Sequence, residues 1–125
     1  MVFDHIGFNV QDFAKTKHFL SAALAPLGLA IVHENTEQGW AMIGKRGEGL
    51  LWFGALGGVP GPIHIAFAAD NPEQVRRFHA AALAAGAQDN GAPGLREHYH
   101  PNYYGAFVIG PDGHNIEAVC HKPED

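Results

Sequence analysis

Residues 63–75 read Ile-His-Ile-Ala-Phe-Ala-Ala-Asp-Asn-Pro-Glu-Gln-Val. At the start of this stretch, apolar residues alternate with His64 and alanine, which is the period of a strand with one buried face. Asn71 then provides an N-cap, a proline follows at the first helical position, and Gln74 can complete a capping box. The stretch therefore predicts a strand that leads directly into a helix, and Gly86 is placed to end that helix.

The same pattern occurs earlier in the chain. An offset of 59 residues aligns His5 with His64 and Asp12 with Asn71. Apolar positions of the two predicted helices align at the same offset, and the order of strand and helix also agrees. Chance is a poor explanation for this agreement, so the sequence indicates one structural unit written twice.

Each copy is predicted to be a βαβββ unit, at about 1–56 and 62–125, with a glycine- and proline-rich linker between them. The expected elements of the first unit are a strand at 4–10, a helix at 13–25, and strands at 29–34, 39–43 and 50–53. Those of the second are a strand at 63–69, a helix from 72, and strands near 95–98, 103–109 and 114–120. Units this short should share a core, so we expect a single α+β domain whose paired units form a curved mixed sheet around a cup.

Composition narrows the class of protein. The chain has 125 residues, 46% of them hydrophobic, and a net charge of −5, which disfavours a nucleic-acid surface. No stretch holds the roughly 18 apolar residues of a membrane span, and the N-terminus lacks the features of a signal peptide. Cys120 is the only cysteine, so no intrachain disulfide can form. These observations predict a cytoplasmic protein without membrane or nucleic-acid partners.

Three ionisable residues are predicted to lie on the strand faces opposite the apolar rows: His5, His64 and Glu117. Ionisable groups facing inward are costly unless they are paired or bind a metal. Small neighbours such as Gly7 and Ala66 leave space beside them. Two imidazoles and one carboxylate suit zinc, nickel, iron(II) or manganese with open coordination positions, so the sequence predicts one divalent metal held by these three residues.

The chain resembles the vicinal oxygen chelate superfamily, which includes glyoxalase I, extradiol dioxygenases, and fosfomycin and bleomycin resistance proteins. Residues 4–7 resemble the opening strand of that family, and residues 63–67 resemble the strand that opens its second module. Residues 107–117 resemble its closing hairpin, which carries the last metal ligand and is the most specific of the three motifs. The resemblance implies paired βαβββ modules, a divalent metal in the cup, a small-molecule substrate, and often a homodimer.

Trp52 departs from the glyoxalase I pattern. Those enzymes usually carry a glutamate on the last strand of the first module. Near its end the second unit is about six residues longer than the first, so the repeat aligns Trp52 with Glu117 and places Trp52 at that position. An indole cannot ligate a metal or act as a general base. Trp52 is therefore predicted to form an apolar or stacking wall that contacts substrate.

Residues 98–104, His-Tyr-His-Pro-Asn-Tyr-Tyr, predict a lip of the binding pocket. Tyr103 or Tyr104 would orient a substrate oxygen, and a regular strand allows only one of them to face the cavity. His100 is a candidate for proton transfer. Asn115 shares the predicted cavity face of Glu117 and is a further candidate for a supporting contact.

Three functions fit these residues. The first is a metal-dependent lyase or isomerase of the glyoxalase type, acting on a substrate that chelates the metal through adjacent oxygens, with Glu117, a metal-bound hydroxide or His100 as base. The second is an extradiol-type dioxygenase with iron(II). The third is a protein that sequesters a drug or metabolite without chemistry, as bleomycin resistance proteins do.

The remaining cysteine and histidines are predicted to have no role in the site. Cys120 has the strand parity of buried neighbours and is expected in the core. The histidines expected in solvent are His18, His33, His79, His114 and His121.

Overall fold

The computed structural model describes residues 5–57, 61–99 and 101–123. Within them, the first unit contains β1 (Ile6–Asn9), α1 (Phe13–Leu24), a 3-10 turn (Ala25–Leu27), β2 (Ala30–Asn35), β3 (Trp40–Lys45) and β4 (Glu48–Gly54). The second contains β5 (His64–Ala68), α2 (Pro72–Ala84), β6 (Gln88–Leu95), β7 (Tyr104–Ile109), a 3-10 turn (Pro111–Gly113) and β8 (Asn115–Cys120). The predicted pair of βαβββ modules and the α+β class are confirmed.

The two sheets have the same strand order. The first is β1-β4-β3-β2 and the second is β5-β8-β7-β6. In each sheet the opening strand pairs in parallel with the last strand, and the other pairs are antiparallel. This order brings the first and last strands of a module together, although they lie far apart in the sequence.

Both helices begin at the predicted caps. The Asp12 carboxylate accepts a hydrogen bond from the backbone N–H of Lys15 at 2.9 Å, and the Asn71 side chain accepts one from Gln74 at 2.9 Å. The predicted capping box differs in one detail, because the Gln74 side chain accepts from the N–H of Asp70 and not from that of Asn71. Neither helix, and no other described helix, is long and apolar enough to cross a membrane.

The two modules share one hydrophobic core. Its fully buried members include Phe19 of α1, Phe53 of β4, Phe78 of α2 and Ile116 of β8. The helices also contact each other, and α2 contacts the 3-10 turn that follows α1. The core therefore joins the halves, as expected for units too small to bury a core separately.

The strand expected near 95–98 lies earlier, at Gln88–Leu95. Its sequence contains Gly91, Pro93 and Gly94 and lacks alternating apolar residues, so local pattern gave no strand signal. The pairing with β7 is irregular at these positions. Arg96 stabilises the irregular strand, because its guanidinium donates hydrogen bonds to the carbonyls of Ala92 and Gly94 at 2.9 Å each.

Two histidines expected in solvent are held by tertiary contacts. His114 is only 2% exposed. Its Nδ1 accepts from the backbone N–H of Ile63 at 3.0 Å, and its ring lies edge-on to Phe8 of the first module at 4.8 Å. His79 Nε2 lies 3.0 Å from the carboxylate of Asp89 and lowers the pKa of that group. The expectation that both are solvated was wrong, because their partners are distant in sequence.

We expect His114 to make the free energy of unfolding depend on pH. Burial lowers the pKa of His114 below its usual 6.5, although the Asp112 carboxylate and the backbone of Asn9 oppose the shift. Below pH 6.5 the unfolded chain binds a proton that the folded protein resists, so stability falls as pH falls. The slope from this one residue is at most about 1.4 kcal/mol per pH unit.

The measurement is the free energy of urea unfolding between pH 7.5 and 5.5 in the wild type and in His114→Asn, which keeps an acceptor but cannot titrate. The variant should show a shallower loss of stability on acidification. Equal slopes in the two proteins would contradict a buried neutral imidazole at this position.

Candidate metal centre

Glu117 lies in the middle of the second sheet, where Ala66 of β5 and Phe107 of β7 are its cross-strand neighbours. Its side chain is 1% exposed. A carboxylate removed from water in this way is costly unless both of its oxygens find partners.

Both carboxylate oxygens of Glu117 have a partner. Oε1 lies 3.0 Å from Nε2 of His64, and Oε2 accepts a hydrogen bond from the hydroxyl of Tyr103. Burial and the contact with Glu117 raise the pKa of Tyr103 well above its usual value, so the phenol remains a proton donor. Sequence analysis predicted all three residues for the site, and the structure brings these three together.

His64 has an acceptor opposite each ring nitrogen. Its Nδ1 lies 3.1 Å from the backbone carbonyl oxygen of Asn115, which can only accept, so Nδ1 carries a proton. Nε2 then faces Oε1 of the Glu117 carboxylate, and two acceptor atoms at this distance need a shared proton or an ion bound to both of them. The side chain of His64 is 49% exposed, which leaves it open to solvent.

The donor pair fits a divalent metal. Zinc binds imidazole nitrogen and carboxylate oxygen at about 2.0–2.2 Å, so two ligands of one ion lie about 3.4 Å apart at the tetrahedral angle and about 3.0 Å apart at the right angle of octahedral coordination. The observed separation of His64 Nε2 and Glu117 Oε1 is 3.0 Å. The backbone carbonyl opposite Nδ1 is the usual outer partner of a metal-bound histidine.

His5 does not complete a three-ligand group in this structure. Within residues 5–57, 61–99 and 101–123, no three His, Cys, Asp or Glu side chains lie close enough together to hold one metal ion. His5 is exposed and contributes to a separate apolar cavity of about 360 Å³, which Leu51 and Ile65 also line. A chain taken alone therefore assembles two of the three predicted ligands.

Trp52 occupies the position in the first sheet that Glu117 occupies in the second. Trp52 pairs with Gly7 of β1, and Glu117 pairs with Ala66 of β5, which is the equivalent residue of the repeat. The indole packs closely over two glycines. A Cβ added to Gly7 would lie 3.3 Å from the indole of Trp52, and a Cβ added to Gly54 would lie 2.7 Å from it. The register therefore confirms the alignment that placed an aromatic residue at this point.

The two neighbouring tyrosines point to opposite faces, as strand alternation requires. Tyr103 contacts Glu117, whereas the hydroxyl of Tyr104 accepts from Arg76 of α2 at 3.1 Å. Tyr104 therefore lies on the helix side, so Tyr103 is the one of the two candidates on the face of Glu117. His100 lies outside the described residues.

Asn115 precedes Glu117 by two residues on β8 and is the register partner of His64. Its side-chain oxygen is buried and has no hydrogen-bond partner in the described part of the chain. A buried acceptor without a partner is a group that a ligand can satisfy.

Sequence analysis missed two residues beside the pair. Phe107 pairs with Glu117 across the strands, and its ring stacks on His64 with centroids 6.3 Å apart. The Arg96 guanidinium lies 4.9 Å above the same ring and also donates to the carbonyl of Gly105. The alternation of β7 places Phe107 on the face of Tyr103, which is the sequence signal that could have found it. No local sequence pattern identifies Arg96 as a residue of the site.

Several solved structures share the fold of this chain. The crystal structure of a glyoxalase/bleomycin resistance protein from Albidiferax ferrireducens is 28% identical, with a TM-score of 0.80, covering 98% of this chain and 100% of that one. A glyoxalase/bleomycin resistance protein/dioxygenase family enzyme from Burkholderia phytofirmans is 18% identical, with a TM-score of 0.71, covering 95% and 98%.

A genomically encoded fosfomycin resistance protein, FosX, from Listeria monocytogenes shares the fold at 17% identity and a TM-score of 0.68, covering 100% of this chain and 94% of that one. No protein of curated function matches the sequence significantly. The family model of the Glyoxalase/Bleomycin resistance protein/Dioxygenase superfamily matches residues 2–118, and the chain therefore belongs to this superfamily.

Proposed function

We propose that the protein is a metal-dependent enzyme of the glyoxalase-like lyase or isomerase type. It would act on a small molecule that chelates the metal through two adjacent oxygens. The observation that carries the proposal is the buried carboxylate of Glu117 only 3.0 Å from Nε2 of His64, which places two donor atoms within reach of one ion. His64 and Glu117 would hold the ion, and a metal bound there supplies a Lewis acid that polarises substrate oxygens.

The third ligand of the proposed site is His5. Because one chain brings only two donors together among the described residues, we propose a homodimer in which His5 of a second copy completes the cup. The equivalence of His5 and His64 in the repeat supports this arrangement, since two symmetric copies can exchange the same pair of modules. Zinc, nickel, iron(II) and manganese all suit two imidazoles and one carboxylate.

The surrounding residues would place the substrate and move its protons. Phe107 would offer aromatic surface to the carbon skeleton, as would Trp52 of the copy that contributes His5, and the side-chain oxygen of Asn115 can accept from a substrate hydroxyl. The proposed base is Glu117, a metal-bound hydroxide or His100. Because both oxygens of Glu117 already have partners, Glu117 would have to release one of them to take a proton. A small-molecule substrate and a cytoplasmic location remain predictions from the sequence.

An extradiol-type dioxygenase is the second candidate. Two histidines and one carboxylate with open positions are the ligand set of non-haem iron(II) oxygenases, and His5, His64 and Glu117 would provide it. The two candidates differ in their metal, which makes the metal the deciding measurement.

We expect protein purified without added metal to contain one divalent ion per chain by elemental analysis. His64→Ala should lose it, because the imidazole is one of the proposed ligands. His33→Ala, which removes an exposed histidine from β2, is the matched control and should keep it. Zinc or nickel would support the lyase, and iron would support the dioxygenase.

The outcome against a metal site is equally clear. Wild type and His64→Ala that both lack metal, and that both fail to take up added zinc, nickel, iron(II) or manganese, would reject the proposal and favour a sequestering protein. The proposed dimer is tested by sedimentation of wild type and His5→Ala with and without the ion.

A further inference from the structure

Tyr103 holds the second oxygen of Glu117, and this contact has no part in the functions considered above. We infer that Tyr103 is a positioning residue that keeps one oxygen of Glu117 occupied, so that the carboxylate offers only Oε1 to a metal ion. The inference rests on the proposed metal-dependent function. It reassigns Tyr103 from orienting a substrate to orienting a ligand of the metal.

The ring of Tyr103 is fixed by its surroundings. It lies edge-on to Tyr99, with centroids 5.1 Å apart, and edge-on to His121 at 5.3 Å. Its backbone carbonyl accepts from the N–H of Arg96 at 2.7 Å. A ring held from two sides and anchored at its backbone directs its hydroxyl at one point, where Oε2 of Glu117 lies.

Gly105 provides the space for this contact. A Cβ at position 105 would lie 3.0 Å from Cε1 of Tyr103 and 3.3 Å from Oε2 of Glu117. Both distances are tighter than ordinary contacts, so any larger residue would press between the phenol and the carboxylate. The glycine therefore allows the tyrosine to approach the carboxylate from the side opposite His64.

The hydrogen bond decides how Glu117 can bind an ion. A carboxylate with two free oxygens can rotate and bind in a bidentate manner, whereas one whose Oε2 is held by a hydroxyl presents Oε1 in a fixed direction. Oε1 is the atom beside Nε2 of His64. The arrangement therefore preorganises a pair of single-atom donors, and outer partners of this kind typically change metal affinity 10- to 100-fold.

The test uses the full chain stripped of metal, with Zn²⁺ and Co²⁺ dissociation constants measured by competition with a chromophoric chelator. Tyr103→Phe should weaken both ions by about 10- to 100-fold. Gly105→Ala should weaken them as well, because the added methyl group separates the two partners. Tyr104→Phe removes the neighbouring hydroxyl on the opposite face, so it is the matched control and should bind as the wild type does.

The visible spectrum of bound Co²⁺ gives a second readout, since its absorption weakens as the coordination number rises. Freed from Tyr103, Glu117 can donate both oxygens, so Tyr103→Phe should show a weaker band per bound ion. A structural role that merely stabilises the fold would leave this spectrum unchanged. Circular dichroism of each variant checks that it is folded. If Tyr103→Phe does not fold, Gly105→Ala is used for the test instead.

Three results would overturn the inference, and they differ from one another. Wild-type affinity and spectrum in both Tyr103→Phe and Gly105→Ala would show that Glu117 needs no positioning. Complete loss of binding in Tyr103→Phe, equal to that in Glu117→Gln, would make Tyr103 a ligand itself. A wild-type chain that binds neither ion would reject the metal-dependent function together with this inference.

Discussion

Replacing Phe78 by alanine should lower the free energy of unfolding by about 3–5 kcal/mol. The Phe78 side chain is fully buried on α2 and belongs to the core that both modules share. Truncation removes its transfer free energy and leaves a cavity that the surrounding sheet and helices fill only in part. A loss of this size is a large share of the 5–15 kcal/mol typical of a whole domain.

The tryptophans make this variant informative about cooperativity. Trp40 and Trp52, the only two in the chain, lie on β3 and β4 of the first module, whereas Phe78 lies in the second. Because the core is shared, tryptophan fluorescence should report the same lowered urea midpoint as far-ultraviolet circular dichroism. The substitution would then destabilise a module that does not contain it.

The control is Arg77→Ala, an exposed position on the same helix, which should change stability by no more than about 0.5 kcal/mol. Fluorescence that keeps the wild-type midpoint while circular dichroism shows an earlier step would mean that the modules unfold separately. That result would contradict a common core.

Metal binding should have the second large effect, on stability rather than on activity. An ion that binds only the folded protein adds about 4.1 kcal/mol to the free energy of unfolding when its free concentration is 1,000 times its dissociation constant. We expect Zn²⁺ to raise the thermal midpoint of the wild type and EDTA to reverse the rise. Glu117→Gln should show little of either effect, since an amide is a weak substitute for the carboxylate.

A matched glutamate variant separates the site from general charge effects. Glu37 is exposed in the turn before β3, so Glu37→Gln removes the same charge far from the proposed ligands. It should keep the wild-type response to Zn²⁺ and EDTA in differential scanning calorimetry. Equal zinc-dependent shifts in the wild type and Glu117→Gln would place the bound ion elsewhere.

The repeat explains why so much of the architecture could be predicted. Two copies of a pattern give the same information twice, so an ambiguous strand in one half is supported by its equivalent in the other. The repeat, with its second unit longer near the end, predicts that Trp52 corresponds to Glu117, and the register with Gly7 and Ala66 confirms that they correspond. Strand alternation likewise predicts from the sequence that only one of Tyr103 and Tyr104 faces the cavity.

The sequence predictions that the structure does not match have a common physical cause, which is stabilisation by residues distant in the sequence. The strand β6 has a turn-like composition, and the carbonyl contacts of Arg96 supply what local propensity lacks. His114 sits beside a tight turn, a setting typical of exposed residues, yet Phe8 and Ile63 enclose it. Local sequence carries no information about such contacts. Nor does it reveal that His5 stands apart from His64 and Glu117 in a single chain.

The strand order also bears on how the chain is made. β5 must pair with β8, which a ribosome delivers only after α2, β6 and β7 have been synthesised. His64 is therefore synthesised well before Glu117, the residue whose carboxylate it contacts. A nascent chain has no complete ion-binding pair until β8 is in place. Capture of metal would then follow the synthesis of β8 and would indicate a second module that has already closed.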